Sequence, residues 1–367
     1  MIDLSTKKEK EKDIPKLIKV FVTEQEYRNF DAWNQSKIKD WVNLTPFKWR
    51  DRYIDETDPF KVTNEMLMGS AIDLWLTQGK EAFDKGVMVS TLEKPLTGNA
   101  LKLVNALLEL CEEGESVASL EEEAFFVLFK KAYDLAGIKS PKVEGWYANF
   151  MKDGNEAKTS FIENLYNRDG GIVLTKQELE DVESTVETLQ KHHISANITN
   201  PNNKAVKGQF GIAYEYRGRR YKALYDFLEK DNFQKLLRGI DLKTNYSPNE
   251  FGLFGYLKNR YYFQQGIYEK GLHALVNSGL EEFKDFEVCP DDPFNFLVVD
   301  NKGIFEPSMW NFDFTEGDCW SGFRTKTGSY YKGIEEVVEE IEWHMENKNY
   351  RTTKEIFDNN HKLNVIL

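Results

Sequence analysis

In the stretch GIDLKTNYSP, residues 239–248, an acid and a lysine stand two apart, Asp241 and Lys243, behind a glycine and an isoleucine. Spacing alone says little. Asp300 and Lys302, Glu156 and Lys158, and Glu346 and Lys348 repeat it, and each reads as a solvated surface pair. Context separates the first pair from the rest. It lies on a short strand, where alternation turns both side chains to one face. Asp226 ends the preceding strand at a separation that suits antiparallel pairing, bringing a second carboxylate to the same point. Two converging carboxylates repel unless a cation lies between them. Gln264 and Tyr268, four apart on the helix that follows, share one face of it; the plainer account of these two is a core tyrosine with a hydrogen-bonding neighbour.

The chemistry such a set supports is phosphodiester hydrolysis. Magnesium, or manganese in its place, takes oxygen ligands and keeps several waters. Asp226, Asp241 and the carbonyl of Leu242 between the pair would supply three ligands. The metal would polarise the scissile phosphate and acidify a bound water. Lys243 would orient or deprotonate that water, or stabilise developing negative charge.

The elements that must hold these residues are legible by periodicity. In KAVKGQFGIAYEY, Phe210, Ile212, Tyr214 and Tyr216 alternate; Arg217-Gly218 turns; RRYKALYDFLE returns with Tyr221, Ala223, Tyr225 and Phe227 alternating. This predicts a β-hairpin, and RGIDLKTN a third strand. Ser247, Pro248 and Glu250 match cap, first turn and capping-box acid of a helix running to about Ala274. FNFLVVDNKGIFEPSMWNF predicts another hairpin, and Ile334, Val337, Val338, Ile341 and Met345 a final amphipathic helix. Upstream, Asn34 or Ser36 would cap one short helix, and Thr45-Pro46 starts the next. NEMLMGSAIDLWLTQ predicts a third, with Ile72, Trp75 and Leu76 in register, and Thr175 with Glu178 opens a long one. The Glu- and Lys-rich stretch from about 94 to 170 reads as a helical insertion. The expected organisation is a tail over 1–16, a single domain over 17–346 containing that insertion, and a tail over 347–367. The fold class is α/β, a small mixed sheet flanked by helices.

Composition bounds the function. Forty-eight basic against sixty-one acidic side chains give a formal charge of −13, which argues against loose coating of nucleic acid but leaves room for a local basic groove. Arg217, Arg219, Arg220, Lys222, Lys258 and Arg260 are the candidates for such a surface, with ordinary surface charge as the alternative. No run of about 18 apolar residues predicts a membrane span, and the charged N-terminus lacks the apolar segment of a signal peptide. Cys111, Cys289 and Cys319 are odd in number and scattered, so no zinc ribbon or disulfide framework is readable, and a reducing cytoplasm is expected. No GxxxxGK[ST] motor motif is present.

Taken in order, these motifs resemble the PD-(D/E)XK nuclease superfamily, and within it the RecB-like and RecE-like phage and bacterial exonucleases. YDFL at 225–228 is similar to the family's first metal-binding aspartate, IDLKT at 240–244 to its D-x-K-T strand, and QQGIY at 264–268 to its Q-x-x-x-Y helix. SKIKDWVNLTPFKWRDRY, GSAIDLWL and VLTKQELEDVESTVETLQKH resemble the RecE-like opening helices, G-x-x-x-H helix and pre-hairpin helix. The chain departs from the pattern twice. Asp73 stands where the family has a histidine near the metal, and would be an auxiliary ligand. Gln209 stands where the family often has an acid at the start of the hairpin, and would orient a phosphate or a metal-bound water. Three scattered cysteines do not match the four-cysteine iron–sulfur cluster of related nucleases.

The resemblance implies a restriction-endonuclease-like core and a magnesium-dependent exonuclease, phage-encoded and active in a bacterial cytoplasm. It would degrade linear double-stranded DNA from its ends for recombination or repair, as a ring-shaped homo-oligomer working with a single-strand annealing protein. Gln264, Tyr268, Gln209, Lys222, Arg219 and Arg220 would support the site or touch DNA. A nuclease-dead DNA-binding scaffold and a structure-specific endonuclease are the alternatives.

Overall fold

The computed structural model describes residues 14–58, 63–92, 96–111, 122–140, 142–168, 170–245, 248 and 251–359. The chain divides into two compact units, one formed by Met1–Val62 with Thr188–Leu367 and the other by Thr63–Glu187.

The first unit opens with strand β1 (Lys16–Val20) and helices α1 (Glu24–Asn29), α2 (Gln35–Asn43) and α3 (Pro46–Tyr53). The second holds α4 (Asn64–Gln78), α5 (Lys80–Gly86), β2 (Val87–Val89), α6 (Gly98–Leu110), α7 (Glu122–Leu135), α8 (Val143–Phe150), α9 (Glu156–Arg168), β3 (Ile172–Leu174) and most of α10 (Lys176–Lys191). The chain then returns to the first unit with β4 (Val206–Tyr216), β5 (Arg219–Asp231), β6 (Leu236–Asn245), α11 (Leu253–Lys258), α12 (Tyr261–Val276), β7 (Glu287–Val288), β8 (Phe294–Asp300) and β9 (Ser308–Trp310). Helices α13 (Glu316–Ser321), α14 (Ile334–Asn347) and α15 (Lys354–Asp358) end the described chain.

The first unit is a mixed α/β structure. Its sheet runs β1-β4-β5-β6-β8-β9, with β7 also pairing β6. All neighbours are antiparallel except β6 with β8 and β7. The predicted hairpin is β4 and β5, in register from Val206↔Glu229 to Tyr216↔Arg219. Its alternating apolar residues, among them Ile212, Tyr214, Tyr221, Ala223 and Tyr225, bury themselves in the core beneath α12. Thirteen of the sixteen residues of α12 are buried, so this helix is the central one against the sheet. Gly271 permits its close approach, since a Cβ there would lie 2.5 Å from the Tyr225 hydroxyl oxygen. The caps follow the sequence. Asn34 accepts from the Lys37 amide at 2.9 Å, Thr45 from Lys48 at 3.3 Å, and Thr175 and Glu178 exchange bonds.

Two features depart from expectation. The helix predicted from Ser247 to Ala274 is two helices, α11 and α12. Arg260 breaks it in the left-handed region, at φ 58°, where a non-glycine side chain is strained; Ser247 and Glu250 lie outside the described residues. Lys16 is not tail but the first residue of β1, an edge strand on β4.

The second unit has its own core, built on Leu103, Val104, Leu107, Phe125, Phe129 and Phe161, and a two-stranded parallel sheet of β2 and β3. The helical insertion expected over 94–170 falls inside this unit, which begins at Thr63 and ends at Glu187. Among the described residues, no helix is long and apolar enough to cross a membrane.

Candidate active site

Strands β5 and β6 pair from Asp231↔Leu236 up to Phe227↔Ile240, and there the ladder stops. One step further in the same register, Asp226 and Asp241 stand across from each other. β6 continues alongside β8, with Asp241 beside Phe296 and Lys243 beside Val298. β5 is instead met by the segment before α2. The Trp33 amide donates to the Arg220 carbonyl and the Lys222 amide to the Trp33 carbonyl, each at 2.9 Å. The two strands therefore part at the two aspartates, and the fork between them opens a cleft of about 580 Å³. Asp226, Asp241, Lys243, Gln264, Tyr268 and Lys222 all line it, with α1 and the start of α2 forming the opposite wall.

Each side chain at the fork is positioned by a specific bond. The Leu242 amide, which has left the ladder, donates to Asp226 Oδ2 at 2.7 Å. Asp241 is 4 % exposed. Its Oδ1 accepts from Gln264 Nε2, and its Oδ2 forms an ion pair with Lys243 Nζ. Apart from that ion pair Oδ2 has no donor, so it retains acceptor capacity, and among the described residues the buried Gln264 Oε1 has no donor. Burial works against the Lys243 ammonium, but Asp241, Tyr261 and Asp226 outweigh it and hold the lysine above its ordinary range. Tyr268 is pushed well above the usual phenol range, first by burial and then by Tyr27, Asp241 and Asp226, while its carbonyl accepts from the Tyr225 hydroxyl at 2.7 Å.

These donors fit magnesium or manganese of the sparsely held kind: two opposed carboxylates, one with an oxygen engaged only by the Lys243 ion pair, beside an orphaned amide oxygen. They do not form a closed protein cage. Among the described residues no group of three or more His, Cys, Asp or Glu side chains comes together around a metal-sized site.

The remaining predicted residues are placed differently. Lys222 lines the cleft, but its ammonium donates to the carbonyls of Tyr27, Arg28 and Phe30 at 2.8, 3.1 and 2.8 Å, closing the C-terminal end of α1. Burial, and then Lys37, lowers it to about 8. Arg219 forms a two-pronged pair with Glu342 of α14, at 2.7 to 3.1 Å. Arg220 is exposed, with 53 % of its side chain open to solvent and Asp31 at 3.5 Å. The three do not make one basic surface. Gln209 lies between Gly208, paired with Phe227, and Phe210, paired with Tyr225, so it stands across from Asp226. Its φ of 50° is left-handed, a strained conformation beside the fork. Asp73 belongs to α4 of the second unit, where its carbonyl accepts from Thr77 Oγ1 at 2.7 Å.

Sequence reasoning passed over α1 and two neighbours of Lys243. Lys39 of α2 is half-buried, and its ammonium is lowered by burial first and then by the charge of Lys243, with Asp40 and Asp241 opposing. Tyr261 carries Lys243 Nζ over its ring at 5.2 Å. The only signal for α1 was the Thr23-to-Glu26 spacing, which caps it: the Glu26 amide donates to Thr23 Oγ1 at 3.2 Å.

No family model matches the chain, and no curated protein matches it. Among solved structures, the chain is similar to one named "Putative exonuclease", from Eubacterium rectale. The identity is 9 %, the match covers 94 % of this chain and 88 % of that one, and the TM-score is 0.40.

Proposed function

We propose that the chain is a magnesium- or manganese-dependent deoxyribonuclease with a PD-(D/E)XK-type core, acting as an exonuclease on the ends of linear duplex DNA. The observation that carries this reading is the pairing of Asp226 and Asp241 across parted strands, in one cleft with Lys243, Gln264 and Tyr268. The charges lining the cleft balance: Arg28, Lys37, Lys222 and Lys243 against Glu24, Asp31, Asp226 and Asp241. A divalent cation tips that balance positive, which an anionic phosphodiester requires.

When bound, the cation would supply Lewis acidity and an acidified water. Asp226 and Asp241 would hold it, with Asp226 fixed by the Leu242 amide and Asp241 by Gln264. Lys243, kept protonated at neutral pH, would stabilise negative charge at the phosphate rather than accept a proton. The orphaned Gln264 Oε1 would accept from a water. A role in phage-encoded recombination or repair, alongside a single-strand annealing protein and as a ring-shaped oligomer, belongs to the same proposal and rests on the sequence resemblance.

Release of acid-soluble nucleotides from linear duplex DNA, with magnesium, manganese or EDTA, tests it. Metal-dependent release that is lost in Lys243→Ala supports the reading. Equal cleavage of covalently closed circles would turn it into an endonuclease. A second reading, a DNA-binding scaffold without activity, is favoured by the Lys243–Asp241 pair, which neutralises Asp241 without a cation. No release with either metal from folded protein would select it.

A further inference from the structure

Beside the catalytic cleft lies a smaller pocket of about 240 Å³, and Asp31, Lys37 and Tyr53 line both. Its other walls include Trp33, Trp49 and Arg220. The chain has eight tryptophans, and among the described residues seven have an aromatic ring against them, Trp49 through Trp41 and Tyr53. Trp33 is the exception. It packs against the core yet stays partly exposed, and among the described residues no ring or cation stacks on it. Its backbone is nonetheless fixed on both sides by the bonds to Arg220 and Lys222. A partly exposed indole on a fixed backbone, in a pocket it shares with Trp49 and Tyr53, is a stacking platform already paid for in conformational entropy. Arg220, 53 % exposed, and Lys37, 28 % exposed, also line it, ion-paired with Asp31 at 3.5 and 3.9 Å.

Resting on the nuclease reading, we propose that this pocket receives the unpaired base at the end of a DNA strand. Trp33 stacks on the base, and Arg220 and Lys37 meet the adjoining phosphate, while the strand continues into the neighbouring cleft. A base stacked on Trp33 has left its pairing partner, so the substrate end frays by one nucleotide to enter. Because every base has a π face, the subsite selects for the presence of a base and not for its identity.

Equilibrium binding in EDTA, where no hydrolysis occurs, tests the proposal with two frayed-end duplexes that differ only in a terminal nucleotide or an abasic unit. Wild type is expected to favour the base-bearing end by on the order of 10- to 100-fold. Trp33→Ala should abolish that preference, and Trp33→Phe should keep most of it, which excludes misfolding as the cause. Equal affinity of wild type for both ends, or an equal loss for both ends in Trp33→Ala, overturns the subsite. The same preparations assayed with magnesium separate the two readings. Hydrolysis without base preference removes the subsite alone, whereas neither binding nor hydrolysis removes both.

Discussion

Asp226 and Asp241 face each other across the point where β5 and β6 separate, one step beyond the last paired residues, Phe227 and Ile240. Like charges directly opposite on neighbouring strands destabilise a sheet. Lys243, Gln264 and the Leu242 amide relieve part of this repulsion. Asp226→Asn keeps an acceptor for Leu242 and removes one charge. Its metal-free melting temperature should rise by a few degrees, about 2–4 °C per kcal/mol for a unit of this size. The further rise expected for the wild type with magnesium should be absent. Thermal melts with and without metal check this.

Lys243 is held above its ordinary range, so the sign of its contribution is fixed. A base whose folded pKa exceeds its unfolded value of 10.5 adds stability that is fully present below 10.5 and disappears as pH rises through the folded value. Lys243→Met should therefore cost a constant amount from pH 7 to 10, on the order of 3 kcal/mol for an uncompensated buried carboxylate. Denaturant titrations at pH 7, 8.5 and 10 read that plateau; a cost that already shrinks by pH 8.5 would mean the pair is not held as described.

Lys222 is a structural cation. Lys222→Met should lower stability by roughly 1–3 kcal/mol, because three carbonyls at the end of α1 lose their donor. It should leave the salt dependence of DNA binding unchanged. Arg220→Ala should do the reverse, lowering the slope of log K against log salt by about 1 with little effect on stability.

Glu269, on α12 away from the fork, is raised to about 7 by burial, against the opposing hydrogen bond from Gln265 and the charge of Lys270. A carboxyl whose folded pKa is raised binds more protons folded than unfolded between 4.5 and 7, so stability falls as pH rises through that window. Glu269→Gln should abolish this slope and be more stable than wild type at pH 8, by up to about 3 kcal/mol. Unfolding free energies at pH 5, 6, 7 and 8 for both proteins check it.

The core of the site was legible because its signals are local. Alternation in residues 206–228 gives the hairpin, and the D-x-K spacing on a strand puts Asp241 and Lys243 on one face. What was illegible depends on elements far apart in sequence. The alternation of Tyr221, Ala223 and Tyr225 turns Lys222 away from the core, and nothing local says that residues 27–30 cover that face. Arg219 is likewise claimed by Glu342, 123 residues away. β1 was hidden by the charged run before it, and the break at Arg260 by a residue that gives no sign of a left-handed turn.

The most direct test of the proposed metal-dependent site is hydrolysis of linear duplex DNA by wild type and Asp241→Asn, side by side in magnesium. Asparagine keeps the volume and an acceptor for Gln264 while removing the charge that would hold the cation. The account predicts release by wild type and a loss of at least about 100-fold in the variant, with its fold intact. Wild-type release from Asp241→Asn, or no release by folded wild type with magnesium or manganese, would contradict it.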